Sequence, residues 1–298
     1  MVSKVFEKVF YNRLLNFLNS NILYKYQFGF REGHSTYMAL LIMMDKITTA
    51  LEKGETVIGL FLDFSKAFDT INHDILLSKL NYYGIRGIPN EWIKSYLSER
   101  EQFVTFNGCS SSRKHVSCGV PQGSILGPLL FLIYVNDLAF VSKELFGILF
   151  ADDTNFFISG QDVKQLESTI NSELAILVDW LKVNRLSLNV SKTNYMIFKT
   201  KNSRQNKHDI SLNIDGKVIS EVTETKFLGV ILDSKLTWKN HINYISNKVS
   251  KSIGIISKAR KLLGTKYLSK LYDSFVYPYI SYCIIVWGGT YPTSLLPL

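Results

Sequence analysis

Apolar positions in this chain follow two periods that alternate along its length. Over 4–20 and 36–53 they return every three or four residues, which predicts two helices. Thr56–Asp63 is instead a nearly unbroken apolar run that starts after Gly54-Glu55 and ends in an acid, which predicts a buried strand. Short helices are predicted over Asp74–Tyr83 and Glu91–Ser98, separated by Gly84, Gly87 and Pro89. Gln102–Phe106 and Lys114–Cys118 read as a strand pair whose joining loop begins at Asn107-Gly108. Phe146–Phe150 and Asn155–Ser159 form a predicted hairpin with Ala151-Asp152-Asp153 at its tip. Leu166, Ile170, Leu174, Leu177 and Leu181 recur at helical spacing, a core face against the back of a sheet. A strand over Tyr195–Lys199 and a polar, basic surface loop over Lys201–Asp209 follow. Leu212–Ile219 turns at Asp215-Gly216 and leads into a strand over Lys226–Leu232. From Lys239 two helices are predicted, broken near Gly264. Ile242, Ile245, Val249, Ile253 and Ile256 line one side of the first and leave lysines on the other. Periodicity alone gives the class α+β.

Composition adds limits. The 298 residues allow one large domain or two, and 46% hydrophobic with 20% charged residues is globular composition. A mean hydropathy of +0.07 points to surface that nucleic acid or further segments cover. No stretch reaches the ~20 apolar residues that span a bilayer. Met1–Leu15 mixes Lys4, Glu7, Lys8 and Arg13 with apolar residues and reads as an amphipathic helix rather than a signal peptide. Cys109, Cys118 and Cys283 have no CxxC spacing, so reduced thiols in an intracellular protein are expected, with nucleus and cytoplasmic ribonucleoprotein both open. The five histidines make no zinc pattern. The net charge of +9 is concentrated: nine basic residues and no acid lie between Lys235 and Lys270, and the rest of the chain balances at 25 basic and 25 acidic. A solvated helix face is the plain reading of a charge run, but such a face mixes signs. A field of one sign suits a polyanion held by phosphate contacts.

The chemistry lies where acids interrupt apolar runs. Asp63 ends one such run and Asp152-Asp153 end another, Leu149-Phe150-Ala151. Carboxylates leaving water without partners are costly. Three of them converging would be relieved by hard divalent cations, which oxygen ligands suit. Two such ions roughly 3.5–4 Å apart form the clamp of phosphoryl transfer. Between the acids, Gly119-Val120-Pro121-Gln122-Gly123-Ser124 forms a tight turn that opens into a helical run from Pro128.

Asp63-Phe64-Ser65-Lys66-Ala67-Phe68-Asp69, Gly119 through Pro128 and Phe150-Ala151-Asp152-Asp153 resemble reverse transcriptase motifs in the family's order. The likeness is to the non-LTR (LINE-type, jockey-like) retrotransposon enzymes. Gln27-Phe28-Gly29-Phe30-Arg31 with Gly33-His34-Ser35-Thr36 resembles the fingers motif. Asn189 with Lys192-Thr193, and Phe227-Leu228-Gly229, extend the likeness over nearly the whole chain. The resemblance implies an α+β right-hand polymerase whose antiparallel palm sheet is backed by helices. Fingers would span 1–55 and 76–115, palm 56–75 and 116–235, and a partial basic thumb 236–298. It implies an RNA-directed DNA polymerase that adds dNTPs to a primer 3′-hydroxyl on an RNA template, with two Mg²⁺ ions or Mn²⁺ in their place. The chain begins at the family's Ser3–Lys8 segment and carries no endonuclease domain, so a fragment of a transposon protein is expected.

The resemblance assigns Asp63, Asp152 and Asp153 as metal ligands, and Lys192 as general acid toward pyrophosphate, against a plain surface lysine. Asp69 reads as a cap of the following helix, as do Asn72 and Asp74. Phe68 stands where the family places an aromatic gate against the ribose 2′-hydroxyl, with core packing as the alternative. Gln122 and Gly123 match the turn under the incoming nucleotide, and Arg31 a triphosphate contact. Phe227, Leu228 and Gly229 would hold the primer end, and otherwise form an ordinary strand. Lys248, Lys251 and Lys258 would contact the duplex backbone. Two other functions compete: a catalytically idle nucleic-acid-binding remnant, and an RNA-templated RNA polymerase, against which Phe68 argues.

Overall fold

The computed structural model describes residues 2–19, 22–199, 210–290 and 292–296. The predicted loop over Lys201–Asp209 lies outside the described residues. Helix α1 spans Val2–Asn19 and α2 Thr36–Glu52, the second capped by the Ser35 hydroxyl, which accepts from the Met38 amide. Strand β1 (Thr56–Leu62) follows, then α3 (His73–Tyr82) and α4 (Ile88–Leu97). Asn72, not Asp69, caps α3: its Oδ1 accepts from the Ile75 amide at 3.0 Å. Asp69 is turned elsewhere, as described below.

The predicted strand pair after α4 is two short ladders rather than one. β2 (Glu101–Gln102) pairs with β5 (Lys114–His115), and β3 (Thr105–Phe106) with β4 (Cys109–Ser110) around the Asn107-Gly108 turn. All four strands are exposed, so no buried face fixes a continuous register. Helix α5 (Gly127–Val135) is apolar on all sides and buried at every position but Pro128. Then come β6 (Phe146–Phe150), β7 (Asp153–Gly160), α6 (Val163–Val183) and β8 (Asn194–Phe198). The Asp215-Gly216 turn joins β9 (Asn213–Ile214) to β10 (Lys217–Val218), and β11 (Ser220–Glu221) follows. The strand predicted over Lys226–Leu232 is a hairpin. β12 (Glu224–Phe227) and β13 (Val230–Asp233) meet at Leu228-Gly229, both in the left-handed region with φ of 44° and 82°.

Five strands form the central sheet in the order β11-β8-β1-β7-β6, antiparallel except where β11 runs parallel to β8. β1 sits in its middle and is buried at all seven positions. Successive side chains of a strand point to opposite faces. Ile58, Leu60 and Leu62 therefore enter one core with α1, α3, α5 and α6, while Val57 and Phe61 enter a second with α2, β12–β13 and α7. A strand buried on both faces explains why the sequence there does not alternate.

Helix α7 spans Lys239–Ala259 and α8 Thr265–Phe275, followed by the short helices α9 (Tyr277–Ser281), α10 (Ile284–Trp287) and α11 (Pro292–Leu295). The Asp233 carboxylate sets the entry to α7, accepting from the Thr237 and Trp238 amides at 2.9 and 2.8 Å. The buried stripe of α7 is Ile242, Ile245, Val249 and Ser252; Ile253, expected on that stripe, is 53% exposed. Ile256 is half-buried against the second core, so the stripe continues past Ser252 and Ile253 lies to one side of it. Among the described residues no helix is long and apolar enough to cross a membrane.

His241 lies at the base of α7, 2% exposed. Its Nδ1 accepts from the Ile231 amide, and its buried Nε2 has no partner. Burial, with Lys226 adding repulsion, pushes its pKa from 6.5 down to about 4. Between those values the unfolded chain binds the proton and the folded chain does not, so stability rises with pH across this window. Denaturant titrations of wild type and His241→Phe at pH 4 to 7 should therefore differ in slope, wild type losing up to roughly 3 kcal/mol more on acidification. Parallel stability profiles for the two would sink this account.

Candidate active site

Asp63 is the first residue beyond β1, half-exposed where the strand leaves the core. Its backbone is sewn to the segment before β8. The Asp63 carbonyl accepts from the Asn189 amide at 2.8 Å, its amide donates to the Thr193 hydroxyl, and the Ser65 amide donates to the Ser187 carbonyl. Asn189 in turn closes a tight turn by accepting from the Lys192 and Thr193 amides. That turn sets the Lys192 Nζ 3.8 Å from Asp63 Oδ2, with both side chains well exposed. An exposed pair of this kind is weak, so the ammonium is free to exchange partners.

The other two acids come from the β6–β7 hairpin. Phe150 pairs with Asp153, which leaves Ala151-Asp152 as a two-residue turn with Ala151 at φ 56°. Register brings this tip to Asp63: β1 and β7 pair as far as Leu62 opposite Thr154, so the next step sets Asp63 across from Asp153. The electrostatics agree. Desolvation on the crowded rim, then the Asp152 and Asp63 carboxylates, hold the Asp153 carboxyl above the ordinary range, although its side chain still reaches solvent.

Two loops frame the acids. The Val120 amide donates to the Phe68 carbonyl and the Gly119 amide to that of Ile71, so the turn through Gln122 lies against the segment after Asp63. The Gln122 Nε2 donates to Asp69 Oδ1 at 2.9 Å, which orients the amide and accounts for Asp69. Gly123, exposed at φ 78°, leaves the turn open to close approach. Phe68 is half-buried, stacked on Phe131 at 4.2 Å and edge-on to the exposed Phe30 at 6.0 Å, so it packs against the core on one side and meets a surface ring on the other. Beside Gln122 a groove of about 650 Å³ is lined by Lys66, Asp69, Arg100, His115 and Cys118.

The remaining residues predicted for the site stand on other elements. Arg31 Nη1 donates to the Tyr24 and Gln27 carbonyls, bracing its own loop; burial lowers its pKa. Phe227 is buried in the second core, and Leu228-Gly229 form a turn whose Leu228 carbonyl accepts from the Tyr282 hydroxyl at 2.8 Å. Lys248, Lys251 and Lys258 are exposed on α7. Two residues that sequence reasoning gave no role also touch the framework. Glu7, 6% exposed on α1, accepts from the Ile125 amide at 2.9 Å and so holds the Gln122 turn from behind. Gln27, 3% exposed, accepts from the Ala151 amide at 2.9 Å. An acid at helical spacing on an otherwise apolar face was the one available signal for Glu7.

Three carboxylates at one rim, one of them reluctant to ionise, form an oxygen donor set that fits a hard divalent cation. Among the described residues no three His, Cys, Asp or Glu side chains are arranged to hold an ion by themselves.

An antiparallel sheet backed by helices, with acids on adjacent strand ends, defines a right-hand polymerase. Residues 1–232 match the family model described as reverse transcriptase (RNA-dependent DNA polymerase), and the chain belongs to that family. It is 31% identical over 303 residues to the RNA-directed DNA polymerase from mobile element jockey of Drosophila melanogaster, covering 96% of this chain and 32% of that protein. It is 30% identical over 302 residues to the probable RNA-directed DNA polymerase from transposon X-element of the same fly, with the same coverage of each. The chain thus spans about a third of the length of the curated relatives it matches. Among solved structures, apo telomerase from Candida tropicalis, truncated of its C-terminal domain, aligns at TM-score 0.53 and 13% identity over 76% of this chain and 43% of that one. Telomerase from Candida albicans, in complex with a TWJ fragment of telomeric RNA, aligns at TM-score 0.52 and 13% identity over 100% of this chain and 55% of that one. At these identities the structures speak for the fold alone.

If the three carboxylates share one field, Asp63→Asn should lower the midpoint of the Asp153 carboxyl in a carbon-detected NMR titration. An unchanged midpoint would separate the two acids. The raised Asp153 pKa, set first by desolvation and then by its neighbours, destabilises the folded state at neutral pH, because the folded chain prefers the protonated form. Asp153→Asn should therefore raise the melting temperature at pH 7, and the advantage should shrink as pH falls through the carboxylate range.

Proposed function

We propose that this chain is the polymerase core of a mobile-element reverse transcriptase, adding dNTPs to a primer 3′-hydroxyl on an RNA template. The observation that carries the reading is the meeting of Asp63 with Asp152 and Asp153 at the ends of paired strands. Asp63, Asp152 and Asp153 would hold two Mg²⁺ ions, which on binding lower the pKa of the 3′-hydroxyl and neutralise the triphosphate. The protein's own groups then supply position and protons. Gln122, its Nε2 bound to Asp69, would offer its Oε1 as an acceptor for a sugar hydroxyl. Gly123 lets the backbone come close. Lys66 and Arg100 stand in the groove beside Gln122 together with Asp69 and Glu101, and Arg31 stiffens the loop that is bonded to the Ala151 turn. Lys192, held only weakly by Asp63, is placed to give its proton to departing pyrophosphate. Phe68, backed by Phe131, would be the ring with which a ribose 2′-hydroxyl collides. On this reading 56–75 and 116–235 form the palm, and Phe227-Leu228-Gly229 lie under the primer end.

Primer extension on an RNA template, with Asp152→Ala as control, tests the assignment. Wild type should extend in Mg²⁺, and the control should lose about a thousandfold or more, because one member of an interdependent set is gone. In the same assay Phe68→Ala should admit ribonucleotides. Absence of extension by wild type would leave a binding remnant as the better account.

Nine exposed basic residues from Lys235 to Lys270 support a backbone-gripping role for α7 and α8. Phosphate contacts carry no sequence information, so binding should depend on salt and little on base sequence. Each contact contributes about 0.9 to the slope of log K against log salt. Replacing Lys248, Lys251 and Lys258 with Gln should flatten that slope by roughly two to three units. Unchanged slope and affinity would show three solvated lysines and nothing more.

A further inference from the structure

The hairpin tip that carries Asp152 and Asp153 is strained at Ala151, a non-glycine residue at φ 56°. Side chains disfavour this region, and the turn holds only if its surroundings over-determine it. The surroundings come from 124 residues upstream. Gln27, buried at 3% exposure, accepts with Oε1 from the Ala151 amide at 2.9 Å and from the Gly29 amide at 2.9 Å. Its Nε2 lies 3.5 Å from the Ala151 carbonyl. One amide side chain thus addresses both backbone groups of the strained residue. Backbone contacts extend the attachment: the Phe28 amide donates to the Leu149 carbonyl at 2.8 Å, and the Leu149 amide to the Tyr26 carbonyl at 3.0 Å. Contact is close enough that a Cβ on Gly29 would stand 2.2 Å from the Ala151 nitrogen. Arg31 closes the far side by donating to the Gln27 carbonyl.

The geometry assigns Gln27 as a positioning residue that fixes the left-handed Ala151 turn, and through it the two carboxylates that follow. The inference rests on the polymerase reading for its consequence in catalysis, but not for the clamp itself. Gln27 touches no reacting atom. It acts on where Asp152 and Asp153 stand, and it ties them to the loop that ends at Arg31, so movement of that loop reaches the acids.

Gln27→Leu, nearly equal in volume, removes the acceptor. Hydrogen exchange in a peptide covering 148–156 should quicken by about tenfold or more, while exchange in α6 stays unchanged. Binding of Mn²⁺ alone, followed by calorimetry, should weaken by about 10- to 100-fold, the range seen when groups that orient metal ligands are lost. In primer extension, kcat per titrated active site should fall by a similar factor, with KM for dNTP within about twofold of wild type. A residue that merely helped folding would lower the number of active sites and leave kcat per site and Mn²⁺ affinity unchanged. Unchanged exchange and Mn²⁺ affinity would overturn the clamp. If wild type extends primers and Gln27→Leu does so equally well per site, the clamp falls and the polymerase reading stands. If wild type does not extend, yet exchange and Mn²⁺ binding respond as stated, the clamp stands and the polymerase reading falls. Should the leucine variant not fold, Gln27→Asn, one methylene too short to reach Ala151, carries the same expectations.

Discussion

The crowding of three carboxylates on one partly desolvated rim is the constraint on which the rest of this structure depends. Desolvation on the rim first, and the neighbouring Asp152 and Asp63 carboxylates after it, make Asp153 reluctant to ionise. The two segments that bear them must nevertheless meet. They are held because neither segment is free. β1 is buried on both faces and paired on both edges, so Asp63 leaves the sheet at a fixed height. The hairpin tip is locked through Ala151, and the exit from β1 is stitched to 187–193. Each restraint acts on backbone rather than on the acids, which leaves the carboxylate oxygens available for ligands.

The same logic explains the second framing loop. A turn that approaches substrate needs glycine and few side-chain contacts of its own, so its rigidity comes from neighbours. Glu7 reaches it from α1, Asp69 orients Gln122, and His73 donates from Nε2 to the Gly119 carbonyl at 2.8 Å. A buried carboxylate such as Glu7 is tolerated because it accepts a backbone amide, and it serves here because the amide it accepts belongs to the turn. The working parts are short and strained; what holds them is distant in sequence and buried.

That division decides what could be read from the residues alone. β1 and the β6–β7 hairpin were legible because unbroken apolar runs ending in acids admit few other readings, and α6 because its stripe is regular. The acids stood out for the same reason. The Gln27 and Glu7 bonds were not legible, since they join residues 124 and 118 positions apart and neither residue type announces a partner. The β12–β13 turn was hidden because its first residue is Leu228, which tertiary packing against Tyr282 forces into a conformation that local propensity opposes. Asp69 and Asn72 are both plausible caps by type, and only the chain's path chose Asn72. Ile253 was misplaced because it lies beside the stripe through Val249, Ser252 and Ile256, where a polar residue, Ser252, holds the buried position.

On the proposed function, charge separates binding from chemistry. An acidic rim repels the phosphates on which it must act, so a substrate drawn only by that rim would not approach. The chain's entire excess of positive charge lies in the segment from Lys235 to Lys270, outside the sheet that carries the acids. Long-range attraction therefore acts on the duplex backbone, where position along the sequence is immaterial. The acids meet only those phosphates that arrive with cations. Binding strength can then vary with the number of exposed lysines on α7 and α8 without disturbing the carboxylate geometry, because the α7 lysines are exposed and lie off its buried stripe. The hinge between the two tasks is the β12–β13 hairpin, which packs in the second core beside Phe61 and Phe157 and leads directly into α7.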